Sequence, residues 1–85
     1  MELEQLRIFL SVAELKSITK TAERLFVSHS TVSRSISSLE AELGVKLFER
    51  GNKIELLTPA GEKLRNRAPE LLSLAEDIEN ELHNI

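Results

Sequence analysis

The side chains with chemistry to offer are concentrated in one run of this 85-residue chain, SHSTVSRSISS at positions 28–38. It holds seven hydroxyls, His29 and Arg34, and no acid appears until Glu40. Hydroxyl and guanidinium groups donate to phosphate oxygens and base edges, and short side chains let a helix approach a polyanion closely. Solvated helix faces ordinarily carry Glu and Lys, so an uncharged polar front is informative. Arg34 can bind guanine with two parallel donors or clamp a phosphate. Thr31 and Ser33 can donate to phosphates or bases, or simply keep the helix front small. His29 and Ser30 open the helix, where free backbone N–H groups and the helix dipole favour a phosphate.

Catalytic chemistry finds no support. The two histidines, His29 and His83, are far apart in sequence, and His83 has no ligand-type neighbours. Without cysteine there is no thiol nucleophile, disulfide or thiolate metal site. Neither a Gly-rich phosphate loop nor a nucleophile–base constellation is present. The reading is a protein that is not an enzyme, with no cofactor and no metal.

The elements that must position the run follow from periodicity. Ser28 is a helix-capping residue and Gly44 suits a helix C-terminus. Between them Val32, Ile36, Leu39 and Leu43 form one apolar stripe, opposite Ser30, Arg34, Ser37 and Ala41. This predicts a recognition helix over 28–43. Ahead of it, a helix over 2–14 places Leu3, Leu6, Phe9, Leu10 and Ala13 inward. A short helix over 18–25, capped by Ser17, buries Ile18, Ala22 and Leu25. Phe26-Val27 is a tight link, so residues 18–37 read as a helix-turn-helix, with Thr19 and Lys20 placed to touch the flanking DNA backbone.

After Gly44, two β-prone runs, 45–50 and 53–57, are joined by Gly51-Asn52. They predict a β-hairpin wing with Arg50 and Lys53 near its tip, positioned for a minor groove. Residues 1–58 thus read as a winged helix-turn-helix domain. Thr58-Pro59 then starts a helix over 59–85. In it Leu64, Ala68, Leu71, Ala75, Ile78, Leu82 and Ile85 recur at alternating intervals of four and three, a heptad seam that needs a partner helix. Pro69 removes one backbone hydrogen bond and predicts a kink. The fold class is mainly α: a three-helix core, a β-hairpin wing and a long C-terminal dimerisation helix.

Composition agrees. Net charge is −3, but residues 15–53 carry seven bases against four acids, whereas 62–85 carry three against six. A basic middle with an acidic tail suits a DNA-binding face backed by a solvated oligomerisation element. No apolar run approaches membrane-spanning length and the first residues are not a signal peptide, so a cytoplasmic location is expected.

The stretch 6–61 resembles the N-terminal DNA-binding domain of LysR-type transcriptional regulators. The matching blocks are LRIFLSVAE (6–14), SITKTAERL (17–25), VSHSTVSRSISSLEAELG (27–44), LFER (47–50) and LTPAG (57–61). The resemblance implies a cytoplasmic bacterial regulator that binds double-stranded operator DNA, as an inverted repeat, in the form of a homodimer or tetramer. It also implies that the last helix is the linker helix pairing two such domains. A small-molecule effector would bind only a further C-terminal domain absent from this chain, so a fragment is expected. Four departures stand out. His29-Ser30 replaces a common Gln-Pro, Thr21 a small alanine, and Leu15-Lys16 lacks a glycine. Glu55 takes a usually apolar wing position, where the strand is expected to bulge or shift register. The functional expectation is sequence-specific DNA binding with helix 28–43 in the major groove. The alternative is a dimeric helical protein-interaction module without DNA readout.

Overall fold

The structure, a computed structural model, describes residues 1–49, 51 and 53–85. Four helices follow in order: α1 (Leu3–Leu15), α2 (Ile18–Leu25), α3 (His29–Leu43) and α4 (Pro59–His83). Each begins where side chains satisfy its free N–H groups. Gln5 Oε1 accepts from the Glu2 N–H at 2.9 Å, Ser17 Oγ from Lys20 at 3.0 Å, Ser28 Oγ from Thr31 at 3.1 Å and Thr58 Oγ1 from Gly61 at 3.0 Å. The first three end on a left-handed residue: Lys16 (φ 56°), Phe26 (φ 57°) and Gly44 (φ 71°). Only the last is the residue type that adopts this conformation without strain.

The core is built around α1, which packs against each of the other helices. Ile8, Phe9, Val12 and Ala13 of α1 cluster with Ala22, Val32, Ile36, Leu39, Leu47 and Phe48, and Leu6 and Ala68 are buried as well. The Phe9 and Phe48 rings sit 5.5 Å apart at 50°, a tilted pairing that joins α1 to the segment after α3. Because α1 is covered on three sides, Ile8 and Val12 are buried as well as the expected Leu6, Phe9 and Ala13, while Leu3 and Leu10 are only half-buried. Within α2, the inward residues Ile18 and Leu25 are likewise half-buried and Thr21 is fully buried. Its hydroxyl donates to the Ser17 carbonyl at 2.8 Å, so a threonine replaces a small alanine there with no unsatisfied group.

Residues 45–57 form one antiparallel bridge, Phe48 with Leu57, and no longer strand among the described residues. Glu49 N–H donates to the Leu56 carbonyl at 2.7 Å. A two-residue Gly51-Asn52 turn would instead pair Phe48 with Glu55, so the register is shifted by two. Glu55 N–H donates to the Lys16 carbonyl at 3.0 Å, tying the returning chain to the end of α1. Of the expected wing tip, Arg50 and Asn52 lie outside the described residues, while Lys53 is exposed.

The last helix runs through Pro69 and stops at His83, two residues short of the expected end, so Ile85 lies beyond it. At 25 residues it is about 37 Å long. This length accounts for a molecule 50 Å long and 20 Å thin.

Candidate nucleic-acid interface

Every side chain of the polar front of α3 is accessible. His29, Ser30, Thr31, Arg34, Ser37 and Ala41 are exposed and Ser33 is half-buried, while Val32, Ile36 and Leu39 are sealed beneath them. Leu43, expected on the inward stripe, is 39% exposed because the helix overruns the core by its last turn. At the helix start Ser28 Oγ lies 2.8 Å from Thr31 Oγ1 and 3.2 Å from Ser30 Oγ, a hydroxyl cluster over the exposed N-terminus. Arg34 is steadied by its Nε donating to the Ser30 carbonyl at 3.3 Å. Among the described residues no carboxylate pairs with it. Its charge is therefore uncompensated among the described residues.

Thr19 and Lys20 are exposed in the first turn of α2, on a helix packed against α3. Arg24, by contrast, is occupied: Nη1 lies 2.6 Å from Glu14 Oε2. That hydrogen bond and the adjacent positive charge hold the Glu14 carboxyl below the usual carboxylate range. The structure thus leaves Lys20, Arg34 and Lys53 without carboxylate partners among the described residues and takes Arg24 out of play. A cleft of about 270 Å³ beside α3 is lined by Ser33, Ser37, Phe48, Glu49 and Glu55 among others. Its carboxylates repel anions, so it adds nothing to phosphate binding.

Two positions that hold the segment after α3 in place carry weaker sequence signals. Glu40 is 8% exposed, with Oε2 accepting from Leu47 N–H at 2.7 Å and Phe48 N–H at 3.4 Å. Its spacing of four from Ile36 and three from Leu43 places it beside the apolar stripe, which marks an acid that turns inward. Gly61, in the first turn of α4, is buried against the backbone of Leu47. A glycine there, where any good helix former would serve, is the visible sign of close approach.

The apolar seam of α4 divides in two. Leu64 packs on the core and Ala68 is 2% exposed, so the first turns are covered by the domain itself. Beyond Pro69, Leu71, Leu74, Ile78 and Leu82 are 40–63% exposed. Ala75 is half-buried, and the stripe left open includes Leu74, which lies outside the expected heptad. No helix is long and apolar enough to cross a membrane among the described residues.

Residues 3–62 match the family described as bacterial regulatory helix-turn-helix protein, lysR family. Across its whole length the chain is 40% identical to an HTH-type transcriptional regulator of Azotobacter vinelandii encoded between ibpB and leuC, covering 59% of that protein. It is 44% identical over 78 residues to the HTH-type transcriptional regulator BenM of Acinetobacter baylyi, which is 92% of this chain and 26% of BenM. The chain thus spans between a quarter and three fifths of these relatives. Among solved structures, the BenM DNA-binding domain in complex with catB site 1 DNA superposes with a TM-score of 0.92 at 38% identity, covering 99% of this chain and 94% of that one. The CbnR DNA-binding domain–DNA complex gives 0.93 at 37% identity, covering 99% and 97%.

Proposed function

The chain belongs to the lysR family of bacterial regulatory helix-turn-helix proteins, and on that premise we propose that it is the DNA-binding and dimerisation module of a transcription regulator. Residues 1–58 read DNA and 59–85 couple two copies. In this reading α3 lies in the major groove, with Arg34 and His29 reaching base edges or phosphates. Ser30, Thr31 and Ser33 donate alongside them, and Thr19 and Lys20 hold the flanking backbone. Lys53, together with Arg50, serves an adjacent minor groove. The observation that carries the reading is the exposed, acid-free front of α3, with Arg34 paired to no carboxylate among the described residues. BenM and CbnR, whose DNA-binding domains have been solved on DNA, support it by likeness of fold. The exposed stripe Leu71, Leu74, Ile78 and Leu82 supports pairing through α4. Residues 59–70 carry three bases against two acids, with Arg65 and Arg67 lying 3.1 Å and 3.3 Å from Glu62 and Glu70. Residues 71–85 carry Glu76, Asp77, Glu79 and Glu81 and no Lys or Arg, so an antiparallel pair keeps the two acidic ends apart. The proposed setting is the bacterial cytoplasm, and the module binds rather than catalyses.

Selection of sites from random duplexes, followed by titration at two salt concentrations, tests the reading. Affinity is expected to fall steeply with salt, and Arg34→Ala to cost about 1–3 kcal/mol on the selected site. A parent chain that selects no site, but captures proteins through its helical face, would favour the protein-interaction module. Equal binding by parent and variant would remove Arg34 from the interface.

A further inference from the structure

The helix proposed to read DNA and the helix proposed to pair two copies have no close backbone approach to each other. Among the described residues α3 packs on α1 and α2, and α4 packs on α1 alone. Besides α1, what joins them is the segment 46–48, gripped from both sides. From α3, Glu40 Oε2 takes the N–H groups of Leu47 and Phe48, and Lys46 Nζ lies 3.9 Å from Oε1. From the start of α4, Thr58 Oγ1 donates to the Lys46 carbonyl at 2.6 Å, Thr58 N–H to the Leu47 carbonyl at 3.0 Å, and Gly61 rests on that carbonyl. A glutamate with an exposure of 8% costs stability unless hydrogen bonds satisfy it, and here they are supplied by a stretch that also helps to anchor α4.

We propose that Glu40 is a positioning residue for DNA recognition: through 46–48 it fixes the angle between α3 and α4. It thereby sets the distance between the two recognition helices of a pair. The proposal rests on the DNA-binding reading given above. The lever is long. With α4 about 37 Å in length, a rotation of about 10° at its base displaces the far end by about 6 Å, close to two base pairs of rise. Small errors at the clamp therefore translate into the wrong half-site separation, without touching any residue that meets DNA.

The test uses the intact chain, and duplexes carrying the selected site as a single half-site, as two half-sites at the selected spacing, and as two half-sites with two base pairs inserted. The parent is expected to favour the selected spacing about tenfold over the insertion. Glu40→Gln keeps a carbonyl oxygen for both N–H groups and should retain that preference within about twofold. Glu40→Leu, verified as folded by circular dichroism, should bind the single half-site within about threefold of the parent while its spacing preference falls below about threefold. Should Glu40→Leu not fold, Glu40→Asp, which keeps the charge but draws it back by one methylene, takes its place. A folded Glu40→Leu or Glu40→Asp with the parental spacing preference overturns the proposal, as does failure of both to fold, which would make Glu40 a stability residue only. A parent that binds no duplex sinks the DNA reading, and the role of Glu40 with it. The two failures are therefore told apart by the parent alone.

Discussion

Gly61→Ala sets two physical effects against each other. Gly61 occupies the third position of α4, where replacing glycine by alanine ordinarily strengthens a helix by up to about 1 kcal/mol. Here the added methyl would drive into the Leu47 carbonyl oxygen, well inside the separation that Cβ atoms tolerate. It would also lie 2.9 Å from Leu57 Cδ2 and 3.1 Å from the Leu47 carbonyl carbon. The nearest obstacle is backbone, and the same oxygen accepts the Thr58 N–H at 3.0 Å, so relief requires parting α4 from the 46–48 segment by roughly 1 Å. Overpacking of this kind costs about 3 kcal/mol at its upper range, leaving a net loss of about 2 kcal/mol. For a domain of this size that lowers Tm by about 10 °C. Thermal and urea unfolding, both at one fixed protein concentration because the proposed pairing would add to stability, measure the change. A Gly61→Ala protein as stable as the parent, or more so, would show that the close approach of α4 to Leu47 does not exist in solution.

Other expected outcomes bear on the turn, the proposed pairing helix and the Glu14 carboxylate. Phe26→Asn should raise stability by up to about 1 kcal/mol, because Phe26 sits at φ 57° and its ring, 94% exposed, buries nothing; a lower melting temperature would reveal a contact for that ring. Ile78→Glu, on the stripe left open by the domain, should convert a pair to single chains in size-exclusion chromatography with light scattering; an unchanged mass would move the interface elsewhere. Glu14→Gln should destabilise at neutral pH and lose that effect in acid. The depressed carboxyl contributes above its ordinary pKa of 4.5, and its contribution disappears as pH falls through the lowered value. Urea midpoints of equal difference at both pH values would clear the Arg24 pair of any role.

The helices were legible in the sequence for local reasons. Ser17, Ser28 and Thr58 cap α2, α3 and α4 where the sequence places them, because a cap needs only a hydroxyl and the N–H two or three residues on. The stripe Val32, Ile36, Leu39 predicts which side of α3 is sealed, and hence which side is offered to a ligand. Leu3 and Leu10 against Ile8 and Val12 were beyond that reasoning, since the width of the apolar face depends on how many neighbours α1 acquires. Glu55 is ill-suited to the wing by its type alone, but the two-residue shift of register depends on its N–H finding the carbonyl of Lys16, a partner distant in sequence.

Sequence by itself determined four helices, the N-terminal caps of three of them and the polar front with Arg34 at its centre, because periodicity and capping act over a turn or two of chain. Only tertiary structure decided that Arg24 is spent on Glu14, that α4 leaves Leu74 rather than Ala75 open, and that Glu40 and Gly61 hold 46–48 from opposite sides. Those outcomes depend on which surfaces meet, and a carboxylate, a glycine or a leucine carries no local mark of the partner it will find.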